Sequence, residues 1–151
     1  MKQEKVLVSA CLLGIRTRYD GSASVSQKVL KLCKTKCCIP VCPEQLAGFS
    51  TPRPPMEFRG GDAECVLKGC GKIVRVESGE DVTLKMLKGA KEALKLLEIT
   101  GGVAFAILKE RSPSCGVNKV YVDGEIVDGT GIFAYLLKKE GVKVYSEEEL
   151  S

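Results

Sequence analysis

The chain has 151 residues, 44% of them hydrophobic and 28% charged, with a formal net charge of +4. That length suits one domain over 1–151 with a core of its own, and no apolar run approaches the roughly 18 residues of a transmembrane helix. The charges are scattered, aromatic residues are only 5% and tryptophan is absent, so a basic, base-stacking surface for nucleic acid is not expected. There are eight cysteines and no histidine. The missing histidine removes Ser-His-Asp and Cys-His catalysis and every histidine-ligated metal site. Eight thiols in a chain this long point to metal or redox use in the cytoplasm rather than to a secreted disulfide framework.

In chain order, "KVLVSA" over 5–10 reads as a buried first strand, too short and too quickly polar to be a signal peptide, with Cys11 at its end. A loop with Gly14 and Asp20-Gly21 follows, then a helix over 25–33 with apolar Val25, Val29, Leu30 and Cys33. "CCIPVC" is a short strand ending at Cys42, and the Pro- and Gly-rich stretch after it reads as an ordered loop. Short strand-like pieces, "ECVLKG" and "KIVRV", are expected within 64–76. Asp81 reads as the N-cap of the longest helix, with an apolar stripe of Leu84, Leu87, Ala90, Leu94 and Leu97. "GVAFAILK" is another buried strand and leads into the polar loop "KERSPSCGVN" with Cys115. "KVYVDGEIVDG" reads as a hairpin turning at Asp123-Gly124, "GIFAYLLKKEG" as a helix, and "VKVYSEEEL" as a last strand with an acidic tail.

Strands alternating with helices predict an α/β fold: a three-layer sandwich with a mainly parallel sheet, Rossmann- or flavodoxin-like, plus a small β-hairpin. Three buried strands end at a cysteine: Cys11, Cys42 and, after a short loop, Cys115. Sites in open α/β sheets form beyond the carboxyl ends of the strands, so these thiols converge if their strands are neighbours. Thiolates without histidine suit zinc or an iron–sulfur cluster. A cluster normally takes four cysteines, so three would leave one iron open for chemistry. Of the other cysteines, Cys33 reads as core packing, and Cys37 and Cys38 as strand lining or support for a site. Cys65 and Cys70 are a zinc half-site, a disulfide or neither, and no CxxC pair supports a zinc ribbon.

The blocks "VSACLLGIRTRYDG", "VCPEQLAGFSTPRPP", "DVT", "AILKERSPSCG" and "LLKKEGVKVYSEEEL" resemble, in order and over nearly the whole chain, the family catalogued as domain of unknown function 523. Characterised members of that family are similar to thiouracil desulfidase. The resemblance implies a [4Fe–4S] cluster held by Cys11, Cys42 and Cys115, with one open iron. It implies Glu44 and Ser112 as catalytic residues in a hydrolase-type, non-redox removal of sulfur. The substrate would be a thiolated nucleobase, thiouracil-like, or a related small thiocarbonyl compound, and hydrosulfide would be released. Glu44 would accept a proton from water, and Ser112 would donate or relay one.

Beside those two, Arg16, Tyr19, Asp20, Arg53 and Lys109 are candidates for substrate binding. Each has a plainer reading. Arg16, Tyr19 and Asp20 form a surface turn, Arg53 is a loop charge, and Lys109, Glu110 and Arg111 are partly solvated. Glu44 reads equally as a loop acid in an ion pair, Ser112 as a turn former before proline, and Ser114 as a shaper of the loop. Cys37 or Cys38 as a fourth ligand would close the iron and favour electron transfer. The alternative function is a non-catalytic iron–sulfur or zinc-binding, redox-sensing protein. A metal-free thiol enzyme is a third. A small-molecule substrate is expected, without nucleic acid or membrane.

Overall fold

The computed structural model describes residues 3–150. Strand β1 (Lys5–Ser9) is buried on both faces. Leu7 joins the main core, whereas Val6 and Val8 pack on the opposite side with Leu12, Val29 and Ile107. An unbroken run of branched residues suits such a strand, because both pleat faces are covered. β1 lies inside a parallel sheet ordered β2 (Cys37–Val41), β1, β5 (Phe105–Leu108), β8 (Val144–Ser146). Helix α1 (Gln27–Cys33) covers one face through Val29. Helices α4 (Thr83–Thr100) and α5 (Ile132–Lys139) cover the other and pack against each other. The expected three-layer α/β arrangement is therefore present.

The structure adds a second sheet, and two stretches differ from their sequence reading. The sheet is ordered β4 (Lys72–Arg75), β3 (Met56–Arg59), β6 (Lys119–Val122), β7 (Glu125–Asp128). β6 and β7 are the expected hairpin, and Asp123 and Gly124 both take positive φ, 51° and 83°, as a type I′ turn requires. The hairpin is joined to β3, where Phe58 pairs with Val122. β3 lies in the stretch expected to be loop. Its burial comes from long-range pairing that local proline and glycine content conceals. "ECVLKG" is helical, as α3 (Ala63–Lys68), and Gly69 stops it at φ 87°. That left-handed residue is a common helix terminator.

Helix α4 turns Leu87, Ala90, Leu94 and Leu97 of the expected stripe to the core, but Leu84 departs from it. Leu84 is 82% exposed, and the buried positions are Met86, Gly89, Ala90 and Ala93. The reason is a close approach by α2 (Pro43–Leu46). A Cβ on Gly89 would lie 2.3 Å from the Pro43 carbonyl oxygen and 2.5 Å from the Ala47 Cβ. A glycine marks the point of contact with α2. Because α2 begins directly after Cys42, Gly89 sets how deeply Cys42 and Glu44 sit in the molecule. Asp81 lies one residue before the N-cap Val82, and its carboxylate accepts the Thr83 N–H at 2.9 Å.

Candidate metal centre

β2, β1 and β5 are neighbours, so their carboxyl ends open on one crevice. Cys11 leaves β1 in a 3₁₀ turn (Ala10–Leu13), Cys42 follows β2, and Cys115 follows β5 by a loop. All three line a cavity of about 540 Å³. The chain turns to opposite sides of β1, to β2 and later to β5, which is the switch point where such sheets bind ligands.

The other cysteines are elsewhere. Cys33 pairs with Cys38 and Cys65 with Cys70 in disulfides. Cys33 is thus a tether between α1 and β2 as well as a packing residue. Cys37 is free and exposed, but it pairs with Lys5 at the opposite end of the sheet. Among the described residues, no fourth cysteine lines the cavity.

The Cys115 loop is built by Glu110. Although flanked by Lys109 and Arg111, Glu110 is only 3% exposed. Its Oε1 accepts the N–H groups of Val117, Asn118 and Lys119 at 2.7, 2.8 and 3.0 Å. Burial alone would raise this carboxyl, but these hydrogen bonds overcome it and hold it below the usual range. Arg111 completes the turn at φ 71°, a strained value for a residue with a side chain. The loop then rests on the start of α5, where the Ile132 and Phe133 amides donate to the carbonyls of Pro113 and Ser114. Gly131 permits this, since a Cβ there would lie 2.6 Å from the Ser114 carbonyl carbon.

Glu44 is buried and held on both oxygens. Oε1 accepts the Arg53 Nε–H at 2.9 Å and Oε2 accepts the Ser114 hydroxyl at 2.8 Å. Ser114 in turn lies 3.0 Å from the Ser112 Oγ. Arg53 is buried too, and three more of its five guanidinium N–H groups go to the Thr17 and Ser50 carbonyls and the Thr51 hydroxyl. Arg53 also lines the cavity. Tyr19 lines the cavity and its carbonyl accepts the Arg53 backbone N–H at 2.7 Å. Lys109 lines the cavity while paired to Glu147 at 3.0 Å. Arg16 and Asp20 are exposed and do not line it, and Asp20 accepts the Ser22 N–H and hydroxyl. Arg18, not Arg16, is the arginine of that loop that reaches the cavity. Ser114 and Glu110 escaped sequence reasoning because their partners lie on other elements or across the loop.

The donor set fits an iron–sulfur cluster. Burial pushes the Cys11 thiol up to about 11, with Lys109 pulling the other way. Burial pushes Cys115 up to about 12, against hydrogen bonds from Ser9 and Ser114. Cys42 is raised by burial as well. Buried thiols of this kind become thiolates when a metal supplies the compensating charge. Among the described residues, no three Cys, Asp or Glu side chains close around a single ion, as zinc with ligands at about 2.3 Å would demand. Three thiols without histidine on one cavity wall are a soft donor set of the kind iron–sulfur groups take.

Three cysteines thus stand beyond the ends of three neighbouring strands of one parallel sheet. The chain belongs to the 2-thiouracil desulfurase family, whose model matches residues 6–149. Among solved structures it is similar to the [4Fe–4S]-dependent thiouracil desulfidase TudS (DUF523), with a TM-score of 0.81 and 40% identity. That match covers 98% of this chain and 93% of the other. The chain is also 47% identical over 149 residues to the uncharacterized protein YbbK of Bacillus subtilis (strain 168), covering 97% of each. No helix among the described residues is long and apolar enough to cross a membrane.

Proposed function

We propose that this chain is a cytoplasmic, single-domain desulfidase that removes sulfur from a thiolated nucleobase or a related small thiocarbonyl compound. The observation that carries the reading is the convergence of Cys11, Cys42 and Cys115 on one cavity that also holds Glu44 and Ser112. Cys11, Cys42 and Cys115 would hold a [4Fe–4S] cluster with one open iron. When bound, the cluster supplies a Lewis acid that favours a sulfur donor and draws electron density from the thiocarbonyl carbon.

The chain's own groups do the proton chemistry. Glu44, kept in place by Arg53, accepts the proton of an attacking water. Ser112 stands at the cavity wall, where its hydroxyl donates or relays a proton. Overall, a C=S group and water give a C=O group, hydrosulfide and a proton, with no net change of oxidation state. Anaerobic reconstitution should yield about four irons per chain, the content of one cubane cluster. Single alanine substitutions of Cys11, Cys42 or Cys115 should each abolish it, and Cys37→Ala should not. Full iron content in all three variants would refute the ligand assignment.

A further inference from the structure

Ser114 is 2% exposed and sits behind Ser112, which is half-buried at the cavity wall. The hydrogen bonds around this pair have a direction. The Ser112 Oγ accepts the N–H of Ser114 at 3.1 Å and the N–H of Cys115 at 2.8 Å. A serine oxygen has two lone pairs, and both are thereby used. Its one proton is left to donate, and the acceptor beside it is the Ser114 Oγ at 3.0 Å. Ser114 likewise has one proton, and it goes to Glu44 Oε2 at 2.8 Å; the Cys115 sulfur is more distant, at 3.6 Å. Glu44 cannot readily swing to meet a reactant, because Arg53 holds its other oxygen and is itself bonded on three further sides.

We infer that Ser114 is a positioning residue of the reaction: it couples Ser112 to Glu44, so that a proton taken from water at Ser112 ends on Glu44. This deepens the desulfidase reading and rests on it. In the step, departure of the Ser112 proton frees a further electron pair on its oxygen, and as one O–H bond of water breaks the water proton joins the Ser112 oxygen there. The Ser112 proton passes to Ser114, and the Ser114 proton to Glu44 Oε2. Three O–H bonds break and three form, and each serine ends as it began. The water oxygen keeps the electron pair of its broken bond and forms the new bond to the substrate carbon. Negative charge building on Ser112 meets the two backbone N–H groups already aimed at it, the arrangement used to stabilise oxyanions. The chain transmits the basicity of a fixed, buried carboxylate to a hydroxyl at the cavity wall.

The test compares iron-loaded wild type, Ser114→Ala and Ser114→Thr, with 2-thiouracil as the probe substrate and proton NMR of the metal-free chain. Ser114→Ala should keep its iron and KM but lose kcat by about 10²-fold, the scale of a lost proton-transfer path. Ser114→Thr, which restores a hydroxyl, should recover most of that loss. In the metal-free wild type, the Ser112 and Ser114 hydroxyl protons should exchange slowly with water. In Ser114→Ala the Ser112 hydroxyl should exchange fast. Unchanged kcat in iron-loaded Ser114→Ala would overturn the proposal, and so would loss of its iron, since Ser114 would then serve Cys115. If wild type releases no hydrosulfide, the desulfidase reading fails instead, and the hydroxyl protons alone decide whether the chain exists. Fast exchange at both serines in folded wild type would overturn it.

Discussion

Replacing Glu110 by glutamine should loosen the loop that presents Cys115. One Glu110 oxygen takes three backbone N–H groups at 2.7–3.0 Å, and the other takes the Asn118 amide at 3.2 Å. Hydrogen bonds to a charged acceptor contribute roughly 1.5–3 kcal/mol and neutral ones roughly 0.5–1.5, so losing the charge costs about 1 kcal/mol per backbone bond, or about 3 kcal/mol in all. The carboxyl is held below its ordinary value in the folded chain. It therefore stabilises the fold fully above its unfolded value of about 4.3, and that contribution fades as the pH falls through the lower folded value. Urea unfolding of the metal-free protein should show the full deficit at pH 7. The gap between wild type and Glu110→Gln should narrow in acid, whatever Glu147 and Glu148 contribute to both proteins. A deficit under about 0.5 kcal/mol, the level of an ordinary surface substitution, or one independent of pH, would refute the reasoning.

Brief alkylation of the metal-free, unreduced protein should label Cys37 first, since it is exposed while Cys11 and Cys115 are buried. Peptide mass mapping would show this, and primary labelling of Cys115 would contradict the burial. Gly89→Leu should drive α2 away from α4, because even a Cβ there meets the Pro43 oxygen at 2.3 Å. The overpacking should cost about 1–3 kcal/mol by urea unfolding and lower the iron bound, because Cys42 moves with α2.

Much of this arrangement is visible in the sequence where local chemistry and tertiary structure agree. "KVLVS" is apolar on both pleat faces and is covered on both. Asp123-Gly124 demands a tight hairpin and makes one. Three cysteines at strand ends converge because the strands that carry them are neighbours. The sequence misleads where partners are distant. β3 is hidden in a proline- and glycine-rich stretch because its support comes from β4 and β6. Leu84 fits the helical period yet is exposed, since the tight contact with α2 selects Gly89. Glu110 looks like one charge in a solvated run, but the amides it gathers lie seven to nine residues on. Ser114 sits beside a ligand candidate, and only the fold shows that Glu44, 70 residues away, is its partner.

The most direct measurement is anaerobic conversion of 2-thiouracil by the iron-loaded chain in ¹⁸O-labelled water, following hydrosulfide and the labelled product together. One hydrosulfide per product, one ¹⁸O in each product, no requirement for a reductant, and loss of conversion in iron-loaded Glu44→Ala are expected. Absence of hydrosulfide from a fully loaded chain, or release that needs a reductant and carries no label, would contradict the desulfidase reading.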